Sequence, residues 1–96
     1  MLTYKAMYKF TDDGVHGEVL DFPGVITCGG DLGETRRLLA DALVDMAETN
    51  LLMGENLPLP NPDASDSASD IDEPIHLILN ASSRYVVTPE PVYEAA

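Results

Sequence analysis

The first residues alternate. Leu2, Tyr4, Ala6, Tyr8 and Phe10 fall on one side of an extended chain, and Thr3, Lys5, Met7 and Lys9 fall on the other. A period of two predicts a half-buried strand. Asp12, Asp13 and Gly14 follow, and an Asp-Gly pair between two strand-like runs is a strong hairpin signal. Val15 to Leu20 reads as a second strand, in which Gly17 marks a bulge or a close backbone approach. At Phe22, Pro23 and Gly24 the chain turns, because Pro23 fixes one backbone angle and Gly24 supplies the unusual one. Val25 to Cys28 is a short third strand. Three strands joined by tight connections predict an antiparallel meander.

The period then changes. Asp31 and Glu34 have the spacing of a capping box, with Asp in place of Ser or Thr. A helix is expected to begin near Asp31 to Glu34 and to run to about Met53, with Gly54 as its stop. Placed at intervals of about 100°, Arg37, Asp41, Asp45 and Glu48 share one narrow polar stripe. Apolar residues, among them Leu39, Leu43, Val44, Met46, Ala47 and Leu51, fill roughly two-thirds of the circumference, more than one sheet face covers. The surplus calls for further cover, either a second subunit in a dimer or tetramer or the C-terminal tail folding back.

"NLPLPNP" breaks regular structure with three prolines. The next run, "DASDSASDIDE", carries Asp63, Asp66, Asp70, Asp72 and Glu73 without a basic residue, and is expected to be mobile in the free protein. Pro74 to Asn80 reads as a fourth strand whose nearly continuous apolar run points to burial on both faces. Arg84 to Val87 is a fifth strand or an extension of the fourth. The expected organisation is one domain over residues 1–96: a core in 1–56, a Pro and acidic-Ser linker in 57–73, a strand region in 74–88 and a tail in 89–96. The fold class is α+β, in the order β-β-β-α-β. One helix packs on the meander and the fourth strand comes after a long acidic linker.

Charge narrows the choice of partners. Seventeen acidic residues against five basic ones give a formal charge of -12 over 96 residues. Such a chain is repelled by nucleic-acid phosphate and anionic lipid and is drawn to a basic partner, although the same charge also serves solubility. Lys5, Lys9, Arg36, Arg37 and Arg84 form no basic stripe with interleaved aromatics, so direct nucleic-acid binding is not expected. Lys5 and Lys9 on the outer face of the first strand read as protection of a sheet edge. No apolar run approaches the ~20 residues of a membrane span. The alternating N-terminus does not resemble a signal peptide, and a cytoplasmic location is expected.

Candidate chemistry is thin. The three glycines of "CGGDLGET" suggest a phosphate loop, but there is no lysine. Asp31 and Glu34 also stand where an anion would sit. Cys28 could be a nucleophile with His16 as a cross-strand neighbour, yet a lone cysteine in a short apolar run is more often a small core residue. Glu18, Asp21 and Asp31 could gather at a strand end around a divalent cation, and solvated surface charge explains them equally. His16 and His76 lack metal-ligand spacing. No catalytic residue, cofactor site or metal site is predicted, and the chain reads as a binding protein rather than an enzyme.

Taken together, the alternating first strand, the hairpin, "DFPGVITCGGD", "ETRRLLADALVDMAE" and "GENLPLPNP" resemble the HicB-like antitoxin family. Phe22, Pro23 and Gly24 match its turn, Gly30 and Asp31 its Gly-Asp before the helix, and Glu34 the glutamate of the helix start. Gly54, Glu55, Leu57, Pro58 and Pro60 match its exit. Cys28 stands three residues beyond the family's usual cysteine position, and Thr35 stands where a helix alanine is common. The resemblance implies a truncated RNase H-like fold without nuclease activity. It also implies a partner, a small basic HicA-type mRNA-cleaving toxin whose RNA-binding surface the antitoxin occludes. Many members carry a C-terminal helix-turn-helix or ribbon-helix-helix DNA-binding module; the residues after Asn80 are expected to be too few for the former, and their prolines argue against the latter. The alternative is an orphan HicB-like domain acting as a homo-oligomeric structural or interaction module without a toxin. The acidic run Asp63, Asp66, Asp70, Asp72 and Glu73 is the expected partner-binding segment.

Overall fold

The computed structural model of the chain describes residues 2–79. The fifth strand expected at Arg84 to Val87 and the tail at 89–96 lie outside the described residues. Four strands and one helix run in the order β1 (Leu2–Thr11), β2 (Gly14–Val19), β3 (Ile26–Gly29), α1 (Leu32–Leu52) and β4 (Ile71–Leu77). The sheet is antiparallel throughout, with strand order β3-β2-β1-β4. The first three strands form the expected meander, and α1 covers one of its faces.

Local chemistry accounts for the elements. Gly24 has φ +93°, which only glycine adopts without strain at the turn into β3. Asp31 caps α1 by accepting from the Glu34 amide at 2.7 Å, and the Glu34 carboxylate accepts from the Gly30 amide at 2.9 Å. The capping box thus closes in both directions, the glutamate reaching one residue further back than usual. Gly54 stops the helix at φ +74°, its amide donating to Leu51 O.

The core lies between α1 and the sheet. Tyr4, Ala6, Tyr8, Val15 and Val19 point to the helix, and Leu39, Leu43 and Ala47 descend onto them. Phe22 meets Tyr4 edge to face, with centroids 5.2 Å apart. Thr35 is also buried, and its hydroxyl donates to Val15 O at 3.1 Å and Asp31 O at 2.8 Å. It fits only because Gly17 and Gly29 lie beneath it. A Cβ on Gly17 would stand 2.8 Å from Thr35 Cγ2, and one on Gly29 would stand 2.6 Å from Thr35 Oγ1. Of the two possibilities at Gly17, close approach holds: its register with Tyr8 and Thr27 runs through without a bulge.

Two expectations about the sheet fail. The fourth strand begins three residues early, at Ile71, and ends at Leu77. It lies at the sheet edge and alternates, with Ile71, Glu73, Ile75 and Leu77 turned inward and Asp72, Pro74 and His76 outward, so it is not buried on both faces. Glu73 is tolerated inward because Arg36 of α1 reaches it at 2.7 Å. Lys5 and Lys9 do not guard an edge either, because β1 is a central strand. The edge device is Pro74. Lys5 gives its amide to Asp21 and its carbonyl to the Leu20 amide, both on the β2 side. Its β4 partner Pro74 therefore turns its missing N–H away from β1, to the outer edge of the sheet among the described residues, where a proline removes no ladder hydrogen bond and opposes further strand pairing.

Candidate partner-binding surface

The segment expected to be a mobile acidic linker follows a defined path. After Gly54 the chain passes the end of β2 and crosses to the sheet face opposite α1. Tyr4, on the helix side, donates its hydroxyl to Pro58 O at 2.7 Å. Asp21 sits at the crossing point, one carboxylate oxygen accepting from the Lys5 amide and the other from the Asn61 amide, each at 2.8 Å. On the far face the Lys5 ammonium donates to Pro62 O at 2.7 Å and Ala64 O at 2.8 Å. The chain rejoins the sheet where the Asp70 amide donates to Tyr8 O at 2.8 Å. Met7 lies between Lys5 and Tyr8 on β1 and is only 1 % exposed, although its side of the strand reads as the polar one. Residues 57–69 therefore form a strap across the sheet.

Between strap and sheet lies a cavity of about 410 Å³, lined by Thr3, Lys5, Asp21, Pro60, Pro62 and Pro74 among others. Burial pushes the Tyr4 hydroxyl above its ordinary pKa of 10.0, and the charge of Asp21 adds to the shift. Tyr8 is likewise raised, first by burial and then by Glu73, with Arg36 opposing. The Arg36 guanidinium lies 5.8 Å from the Tyr8 ring centroid, and its hydrogen bonds to Glu73 hold it protonated.

The five acids predicted as one binding segment are distributed differently. Asp63 is exposed on the strap, and its carboxylate makes no hydrogen bond among the described residues. Asp66 accepts from the Ala68 amide and Asp70 from the Phe10 amide, at 2.9 and 2.8 Å. Asp72 and Glu73 belong to β4 and not to the linker. Asp72 accepts from the Ser69 hydroxyl on the outer face, while Glu73 faces the helix and pairs with Arg36. Four of the five thus lie along the strap side, and Glu73 lies on the other face. Asp21, Lys5 and Tyr4, which fasten the strap, are the residues the sequence reading missed. Their partners lie about forty to sixty positions away, beyond any local pattern.

The other candidates resolve simply. Cys28 is exposed and is not the small core residue its short apolar run suggested, because its side chain lies on the sheet face away from α1; it sits opposite His16 in the β2–β3 register, as expected of a cross-strand neighbour. His16 Nε2 is 3.5 Å from Glu18 Oε1. The amides of Gly30 and Glu34 are occupied by carboxylates, which closes the helix start to an anion. Among the described residues no group of three or more His, Cys, Asp or Glu could hold a metal ion. None of their helices is long and apolar enough to cross a membrane. On α1, Leu39, Leu43 and Ala47 are buried, Val44 and Met46 half-buried, and Leu51 exposed.

No family model matches the sequence, and no curated protein does. Solved structures do match. The antitoxin HicB of Burkholderia pseudomallei aligns over 99% of this chain and 80% of its own, with a TM-score of 0.68 at 16% identity. The fold is the HicB fold. A toxin-antitoxin complex from Streptococcus pneumoniae aligns over 98% of this chain and 84% of that one, with a TM-score of 0.63 at 14% identity. A HicA3 and HicB3 toxin-antitoxin complex aligns over 65% and 72%, with a TM-score of 0.56 at 22% identity. Phe22, Pro23, Gly24, Gly30, Asp31, Glu34 and Gly54 are, in this HicB fold, the turn, the helix cap and the helix stop. Pro58 and Pro60 open the strap, Pro58 through its hydrogen bond to Tyr4.

Proposed function

We propose that the chain is an antitoxin that binds a small basic HicA-type toxin in the cytoplasm and neutralises it by covering its RNA-binding surface. The observation that carries this reading is the match of nearly the whole chain to an antitoxin HicB, strap and β4 included. The charge of -12 fits a basic partner. The strap adds a physical reason. Asp63, Asp66, Asp70 and Asp72 are held on one face by Asp21, Lys5 and the sheet, so binding there does not have to order a free linker first. The account needs no enzymatic activity and no cofactor.

The test is co-expression with the small open reading frame beside this gene. The toxin reading expects that frame to encode a basic protein that arrests growth alone, is tolerated with this chain, and co-purifies with it. A harmless neighbour that does not co-purify removes the reading for this protein.

A further inference from the structure

The cavity of about 410 Å³ between the strap and the sheet has two kinds of wall. Pro60 and Pro62 of the strap and Pro74 of β4 supply stiff apolar surface. The charged residues Lys5, Asp21, Asp72 and Glu73 supply much of the rest. Most of their polar atoms are engaged. Asp21 accepts with both oxygens, from the amides of Lys5 and Asn61. The Lys5 ammonium places two of its three protons on the strap carbonyls of Pro62 and Ala64. Glu73 turns its side chain to the helix face, where Arg36 neutralises it. Asp72 is different. It is exposed on the outer face of β4, and one of its oxygens accepts from the Ser69 hydroxyl, which orients the carboxylate. Its other oxygen accepts no hydrogen bond among the described residues. With Glu73 neutralised, two carboxylates face one ammonium, and Asp63, Asp66 and Asp70 on the strap side deepen the negative field.

We propose that this cavity is a socket for one arginine side chain of the basic partner, its aliphatic stem against the proline walls and its guanidinium on the free oxygen of Asp72. The source of that side chain rests on the toxin reading; the chemistry of the socket does not. Long cationic side chains lay their stems on apolar surface and keep the charged head at a polar rim. A guanidinium is planar and more weakly hydrated than an ammonium, so arginine enters an apolar slot at less cost than lysine. Asp72 is exposed, so the pair forms at the rim and the full desolvation of two buried charges is avoided. An anion would meet the carboxylates of Asp21 and Asp72 in a chain of charge -12. A wholly apolar side chain would cover the Asp72 carboxylate without giving it a partner. The hydrogen bonds of Asp21 and Lys5 hold the strap over the sheet before anything binds, so the socket is formed in advance. Arginine is one of the residue types that most often anchor an interface from within a pocket.

The experiment has two arms, both on the full chain. In the first, the amide resonances of the isotope-labelled chain are followed while blocked tripeptides are added. Their central residue is arginine, citrulline (the same shape without the charge) or norleucine. The arginine peptide is expected to give saturating shifts at the amides of Thr3, Lys5 and Asp72, and the other two none. Thr3→Phe fills the cavity and keeps every charge, and Asp72→Asn removes the free carboxylate; each abolishes those shifts. Asp63→Asn makes the same charge change on the strap outside the cavity wall and leaves them. All three positions are exposed, and circular dichroism checks that the variants keep the fold. In the second arm the same variants are titrated with the basic protein of the neighbouring frame. Asp72→Asn and Thr3→Phe weaken that complex by about tenfold or more, and Asp63→Asn by about threefold or less. Absence of saturating shifts at those three amides, or arginine and citrulline peptides that behave alike, overturns the proposal. So does a basic protein that binds Thr3→Phe as tightly as wild type, or that responds equally to Asp72→Asn and Asp63→Asn. If the neighbouring protein fails to bind while the arginine peptide gives the expected shifts, the toxin reading falls and the arginine socket stands.

Discussion

Replacing Asp21 by Asn tests the fastening of the strap at one atom. Asp21 is buried, and its two oxygens accept from two amides, of Lys5 on β1 and Asn61 on the strap, each at 2.8 Å. Asn has nearly the same shape but only one acceptor. Whichever way it turns, its NH₂ faces one of the two N–H groups. One hydrogen bond is lost with a buried donor left unpaired, at a cost of about 1–3 kcal/mol, and the other weakens by about 1 kcal/mol as its acceptor loses its charge. The total is about 2–4 kcal/mol. With a urea slope of about 1.5 kcal/mol per molar, the unfolding midpoint falls by roughly 1.3–2.7 M. Hydrogen exchange at the Asn61 and Lys5 amides quickens, and limited proteolysis within 57–69 speeds up. An unchanged midpoint with unchanged exchange at both amides would refute the role given to Asp21, and with it the view of this segment as a fixed strap.

Other outcomes follow from the packing and titration. Gly17→Ala sets a Cβ 2.8 Å from Thr35 Cγ2 and 3.2 Å from the Tyr8 ring, and is expected to cost about 1–3 kcal/mol. Thr35→Ser, which removes that methyl but keeps the hydroxyl, recovers part of the loss in a double-mutant cycle; strict additivity contradicts the contact. Tyr4 and Tyr8 have folded pKa values raised above 10.0, so the stability tied to their neutral forms is complete below pH 10 and is lost as pH rises beyond it. Tyr4→Phe cannot ionise, so alkaline titration of its stability should show a shallower fall above pH 10 than wild type, and an unchanged slope counts against Tyr4 as a contributor. Cys28→Ala is expected to leave the proposed neutralisation intact, since Cys28 is exposed and that function uses no thiol chemistry; loss of neutralisation in that variant speaks for a chemical role.

The elements that were legible in the sequence are those written within a few residues. The alternation of β1, the Asp-Gly hairpin, the Pro23–Gly24 turn and the Asp31–Glu34 cap each name a local backbone requirement, and each stands where expected. What was hidden depends on distant partners. Ile71 sits among Asp70, Asp72 and Glu73 and looks like part of a solvated acidic run. It begins a strand because Tyr8 pairs with it and because Arg36, 37 positions before Glu73, neutralises the one inward carboxylate. Asp21 reads as another surface acid until Asn61 is brought to it. Lys5 reads as an outward charge until the strap supplies two carbonyls. Met7 is buried on the side of β1 that reads as polar, and nothing local signals it. For the candidate surface, the sequence held the charges but not their placement, which is why the five acids divide between two faces.

The most direct measurement of the proposed function is calorimetric titration of this chain against the basic protein of the neighbouring frame, at low and at high salt. The reading predicts tight binding that weakens by about tenfold or more as salt screens the acidic surface. It further predicts that replacing Asp63, Asp66, Asp70 and Asp72 by Asn weakens the low-salt affinity toward the high-salt value. No binding at low salt, or an affinity indifferent both to salt and to those four substitutions, contradicts it.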